Sequence, residues 1–290
     1  PATITGKRNG DVFIQKVYHM VHLRIDMKLV KIGLGIGALV ALFGIGGLYV
    51  NRHAIERITQ QAMLPEAVPY EAKPTTTPQK TAATLGTTKP LPTISPAKTT
   101  LPKEVNLAVP FTPQAPHANW DDPYGELCEE ASVLMAVSYL QHKKIPNAAF
   151  ANSALLAIKN FEEKRFGFYK DTTAEETAII LREHFSYNKV EVKQNPTVTD
   201  IQQALAHGRV VIVPVAGREI GNPYFQVPGP LYHMIVVKGY TSAGKFITHD
   251  PGTRHGADYL YDQTVIMNAI HDWRVDSNIS LGKKVVIFAG

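Results

Sequence analysis

An α+β domain, with helices packed on an antiparallel sheet, is the fold that residues 104–290 of this chain predict, and three observations carry that expectation. Helical periodicities come first, β-branched apolar runs come mostly later, and the later runs are joined by links too short for a crossover helix. Between Cys128 and His142 apolar or small residues fall at 131, 135, 136 and 139, one face of a helix. Helical patterns recur near 147–160, 173–185 and 198–207, and once more near 262–271. Strand-like runs stand at 209–215 (RVVIVPV), 232–240 (YHMIVVKGY), 244–249 and 283–288 (KKVVIFA). A link such as Thr241-Ser-Ala-Gly244 suits a hairpin, which makes the sheet antiparallel rather than a series of βαβ units.

The residues ahead of this domain divide into three parts. Residues 1–31 read as a cytoplasmic N-terminal segment; Met27 leads straight into the next stretch, so residues 1–26 could be an upstream mis-start. Ile32 to Val50 (IGLGIGALVALFGIGGLYV) holds 19 residues without a charge. At about 1.5 Å per residue that length matches a hydrocarbon core of about 30 Å. It is expected to be a transmembrane anchor, with Arg24, Lys28 and Lys31 ahead of it favouring an N-terminus in the cytoplasm. A cleaved signal peptide is the competing reading, but the bulky, basic GLYVNRHA that follows offers no small-residue cleavage site. Residues 51–103 are expected to be a stalk, disordered from about 65, because Pro65 to Pro102 holds eight Pro and ten Thr in 38 residues. So few large apolar side chains cannot offset the entropy of ordering the chain.

Charge bounds the partners. The net charge of +5 is uneven: residues 1–103 carry 13 Lys/Arg against 5 Asp/Glu, whereas residues 104–290 carry 17 against 20. The folded part is therefore mildly acidic, which argues against a nucleic-acid groove. A single cysteine, Cys128, excludes an intrachain disulfide and leaves a thiol that is a buried hydrophobe, an intermolecular link or a reactive group.

Cys128 opens a predicted helix, where unpaired N–H groups and the helix dipole favour a thiolate, although Glu129 and Glu130 oppose it. His233 opens a strand, on the face shared by Ile235 and Val237. By itself it reads equally as a core histidine. Asp250 ends the next strand, and hairpin pairing of the two strands would bring its carboxylate to His233, to hold the tautomer and stabilise the cation. Asp250-Pro-Gly is also a turn sequence in its own right. Gln114 lies 14 residues before the cysteine and has an amide able to donate to an oxyanion. His249, His255 and His271 match no familiar metal-ligand spacing, and no metal is expected.

Gln, then Cys on a helix start, then His on a strand, then Asp on the following strand is the order of papain-like hydrolases. VPFTPQAPHANW, CEEASVLMA, YHMIVVKGY and THDPGT resemble the bacteriocin-processing (double-glycine leader) cysteine peptidases and their peptidase-like relatives in bacteria, from about Asn106 to Trp273. The resemblance implies a papain-like α+β fold with Cys128 as nucleophile, His233 as general base and then acid, Asp250 as orienting residue and Gln114 as oxyanion donor. It implies hydrolysis of peptide, protein or cell-wall peptide bonds through a thioester, with no cofactor. Two departures stand out: Glu-Glu follows Cys128 where Gly-Pro is common, and one apolar span and a linker stand where leader peptidases are joined to an exporter. The expectation is a single-pass membrane protein with its hydrolase domain outside the cytoplasm. The alternative is a catalytically silent papain-like module that binds or adheres.

Overall fold

The computed structural model describes residues 55–71 and 100–290, and the chain divides into two compact units, Pro1–Met63 and Leu64–Gly290. In the first unit the described residues form a short helix, α1, over residues 55–62. The expected anchor at 32–50 lies outside the described residues. Among the described residues no helix is long and apolar enough to cross a membrane.

The second unit is a mixed helix and antiparallel-sheet fold. Its elements are β1 (Val105–Asn106), α2 (Cys128–Leu140), α3 (Ala148–Phe166), α4 (Ala174–Ile179), β2 (Val190–Gln194), α5 (Val198–Ala206), β3 (Val210–Ala216), β4 (Tyr232–Tyr240), β5 (Lys245–His249), β6 (Tyr259–Asp262), α6 (Gln263–Ala269) and β7 (Val285–Ala289). The sheet runs in the order β2-β7-β3-β4-β5-β6 with every pair antiparallel, and β1 pairs the far end of β4. The hairpin expected at Thr241–Gly244 joins β4 to β5, with Gly244 in the left-handed region (φ 75°) and Thr241 N–H donating to Lys245 O at 2.9 Å.

Local chemistry explains the helix starts. Asn147 caps α3 by accepting from Phe150 N–H, while Thr173–Glu176 and Thr197–Asp200 form reciprocal capping boxes on α4 and α5. Helix α4 passes into one π turn at Ile180–His184, completing the helical pattern expected over 173–185.

All 13 residues of α2 are buried, so it is a central helix rather than a half-exposed one. It packs on β4, where Ser132 Oγ donates to Met234 O at 3.1 Å and ties the two elements that carry Cys128 and His233. Strands β3 and β4 are buried along their whole length, in keeping with their continuous apolar runs.

The domain begins earlier than expected. Residues 65–71, assigned to a disordered stalk, are part of the second unit: Val68 makes a parallel bridge to Leu107, its N–H donates to Asn106 O at 2.7 Å, and Ala108 N–H donates back to Val68 O at 2.7 Å. Asn106 Nδ2 donates to Pro65 O at 2.8 Å, and Tyr70 packs edge-on against Tyr139 of α2 at 5.3 Å. Tyr70 is the only aromatic residue of the Pro/Thr-rich segment 65–102, and its ring is what this stretch buries.

Candidate active site

Cys128, His233 and Gln114 line one cavity of about 730 Å³. The segment 217–230, rich in Gly and Pro, contributes to its rim through Tyr224, Phe225 and Pro228.

Asp250 is placed by strand register. Val236 pairs with His249, so continuing by one residue sets Asp250 across from Ile235 and diagonal to His233 on the same face. Asp250 Oδ1 lies 2.8 Å from His233 Nε2 and accepts from Gly252 N–H at 3.0 Å. Its Oδ2 accepts from Asn222 Nδ2 at 2.8 Å and from Tyr261 Oη at 2.6 Å. Burial alone would raise the pKa of this fully enclosed carboxyl. Facing His233, with Tyr261 and Asn222 donating, holds it below the ordinary value instead. Turned to a carboxylate, Nε2 of His233 carries the proton and donates, which leaves Nδ1 as the basic nitrogen. Phe225 meets the imidazole edge-on at 5.4 Å, and the ring is 1% exposed.

Cys128 is the first residue of α2 and is 6% exposed. The expected thiolate-favouring effect of the helix start is outweighed. Burial, then the adjacent Glu129 and Glu130, push the thiol well above its ordinary pKa, with the Met234 backbone pulling weakly the other way. The thiol donates to Glu129 Oε2 at 3.0 Å. Glu129 is itself raised well above the carboxylate range by burial and by Glu130.

Gln114 stands in the wall of the cavity. Both amide hydrogens are spent on main-chain carbonyls, at 3.0 Å to Tyr124 O and 2.8 Å to Gly125 O. What it leaves unpaired is the acceptor, Oε1. These two bonds tie Gln114 to the turn that leads into α2.

The three extra histidines are scattered into separate roles. His249 Nε2 donates to Val109 O at 2.8 Å while its Nδ1 accepts from Asp258 N–H at 3.1 Å, and burial followed by Lys238 lowers its pKa to about 4. His271 bonds Gly282 O through Nδ1 at 3.0 Å, and His255 stacks on Tyr224 at 4.5 Å on the cavity wall. Among the described residues no group of three or more His, Cys, Asp or Glu is arranged to hold a metal ion.

Asn222, Tyr261 and Glu129 are site residues that the sequence reading did not assign. Asn222 lay within the Gly/Pro-rich segment next to His233, and a polar side chain in such a segment was the available signal. Tyr261 lies in β6, a strand of four residues with no strong alternation, so nothing pointed to it.

The profile of the Peptidase_C39 like family matches residues 106–280. Among solved structures, one described as a C39-like peptidase from Bacillus anthracis aligns with a TM-score of 0.42 and 13% identity, over 64% of this chain and 97% of that one. No curated protein matches the sequence. The family match spans more than half of the chain and takes in every residue of the site just described: the chain belongs to the Peptidase_C39 like family.

Proposed function

We propose that the domain is a papain-like cysteine peptidase or amidase, attached to a membrane through residues 32–50 and acting outside the cytoplasm. The observation that carries the reading is the buried Asp250–His233 pair, 2.8 Å apart, in the wall of the cavity that Cys128 lines. A buried imidazole clamped at Nε2 is a base with one free nitrogen and a partner for its cation.

In this mechanism His233 Nδ1 takes the thiol proton as the sulfur of Cys128 attacks the scissile carbonyl carbon. Asp250 stabilises the resulting imidazolium. The N–H of Cys128, at the start of α2, lacks an intrahelical acceptor and receives the developing oxyanion, the role first expected of Gln114. His233 then protonates the leaving amine, and water hydrolyses the thioester with His233 again as base. Because the resting thiol is protonated and bonded to Glu129, attack and proton transfer are coupled rather than sequential.

One observation favours the second reading, a silent binding module: the thiol is held neutral and no Gln114 hydrogen faces it. Iodoacetamide alkylation at neutral pH separates the two. The peptidase reading expects Cys128 to be alkylated in the folded protein and His233→Ala to slow that reaction. A thiol that reacts only after denaturation sinks the reading. A peptide and muropeptide library, screened with wild type against Cys128→Ala, then identifies the bond cut.

A further inference from the structure

The two glutamates that follow Cys128 both point into the protein. Glu129 is 1% exposed, Glu130 is fully enclosed, and Glu130 meets the equally enclosed Glu162 where α2 packs on α3. The groups that face Glu129 from other elements, Asp171 between α3 and α4 and Tyr232 of β4, are acidic as well. Lys159 of α3, the cation that acts on Glu130 and Glu162, has its ammonium bound to Glu163 at 2.6 Å. Among the described residues no Lys or Arg pairs with Glu129. Its Oε2 accepts from the thiol of Cys128 at 3.0 Å, and its Oε1 is enclosed without a side-chain or main-chain partner.

A carboxylate sealed from water with no cation beside it is costly, and a proton removes the cost. Burial first and Glu130 second hold Glu129 well above the carboxylate range, with the thiol and its own backbone N–H pulling weakly the other way. At neutral pH Glu129 is therefore a carboxylic acid. The repulsion it would exert on a thiolate belongs to its ionised form. The neutral form has an O–H to give, and a carboxyl kept neutral in an enclosed site is a strong donor to a developing anion. In the resting protein the thiol donates to the carbonyl oxygen of this acid. Once the thiol proton leaves, a half-turn about the broad, two-fold terminal torsion of glutamate brings the O–H to the sulfur.

We propose that Glu129 is the hydrogen-bond donor to the sulfur of Cys128. Its neutral carboxyl turns the O–H towards the charge that gathers on Sγ as His233 Nδ1 takes the thiol proton. It does so again when water opens the thioester and the electron pair of the broken C–S bond returns to sulfur. Glu130 and Glu162 keep Glu129 from ionising, so the Glu-Glu pair that stands in place of Gly-Pro becomes part of the machinery around the thiol. The inference rests on the thiol chemistry of the proposed function. The protonation of Glu129 and its contact with sulfur are properties of the folded protein whether or not it turns over a substrate.

The test compares the full chain with two variants of similar shape: Glu129→Gln, which keeps a donor, and Glu129→Met, which fills the space and donates nothing. Cys128 is the only thiol, so iodoacetamide uptake read by mass reports on it alone. Across pH 6 to 9 Glu129→Met should alkylate about ten-fold or more slowly than wild type, the scale of one hydrogen bond to a charged group. Its pH profile should lie about one unit higher, and Glu129→Gln should recover most of the lost rate. An ionised Glu129 predicts the reverse, with both variants faster and their profiles moved to lower pH. A merely structural Glu129 would change the unfolding midpoint and leave the pH profile where it is. Infrared difference spectra at pH 7 need no reactive thiol: a protonated-carboxyl band should vanish in Glu129→Gln and shift in Cys128→Ala, which removes its partner. A Met variant as fast as wild type, a Gln variant as slow as Met, or a carboxylate band in place of the acid would overturn the inference. An inert thiol in the folded wild type sinks the peptidase reading instead. The infrared band then decides this one by itself, against it if the band is absent or unmoved by Cys128→Ala.

Discussion

Replacing Glu162 of α3 with Gln should stabilise the domain at neutral pH and flatten its dependence on pH. Glu162 and Glu130 are both buried and face each other, so at least one carboxyl must keep its proton. Burial, more than the neighbouring Glu129 and Glu176, lifts Glu162 to about 9, whereas an unfolded glutamate ionises near 4.3. Between those values the folded state holds a proton that the unfolded state has lost. Stability from this group is therefore complete below about pH 4 and falls by about 1.4 kcal/mol per pH unit as pH rises. By pH 7 the penalty is about 4 kcal/mol. Gln cannot ionise, and its amide can donate to Glu130 from the same place. Urea unfolding followed by tryptophan fluorescence from pH 5 to 8 should show the variant gaining over wild type as pH rises. Parallel curves, with the variant no less pH-dependent than wild type, would refute the shared-proton account.

Other perturbations test the site and the domain boundary. A Cβ on Gly252 would lie 2.9 Å from His233 Cε1 and 3.0 Å from its Nε2, so Gly252→Ala should displace the imidazole from Asp250. It should slow Cys128 alkylation about ten-fold or more, the low end of what a positioned base contributes. Tyr261→Phe removes one donor from a buried carboxylate and should cost about 2 kcal/mol at pH 7 in thermal or urea unfolding. Because Asp250 is held below its ordinary value, that loss should fade as pH drops through the carboxylate range, where wild type also loses the contribution. Tyr70→Ala should destabilise the domain by about 3 kcal/mol, a cost that a residue in a disordered stalk would not show.

Most of the sheet and the order of the site were legible in the sequence because periodicity and buried runs report on packing directly. YHMIVVKGY matches β4 from end to end, and the register through β5 brings Asp250 to His233 as hairpin pairing required. What escaped were effects that depend on neighbours far along the chain. Val190–Gln194 and Tyr259–Asp262 are short edge-side strands whose pattern is set by pairing with β7 and β5 rather than by their own alternation. Helix-start electrostatics gave the wrong sign for Cys128, because full burial beside Glu129 and Glu130 exceeds the effect of a helix terminus. Gln114 was placed correctly in the cavity wall, but the two carbonyls that claim its hydrogens belong to a turn that no local motif announced.

The docking of residues 65–71 beside β1 changes what the segment between 72 and 99 connects. Both of its ends belong to the same body, held at one side by the Val68 hydrogen bonds and the Tyr70–Tyr139 contact and at the other by the start of the sheet. A protease cut anywhere between them would break the covalent chain without freeing residues 65–71. The product would be a nicked, two-fragment domain that migrates whole under native conditions and parts only on denaturation.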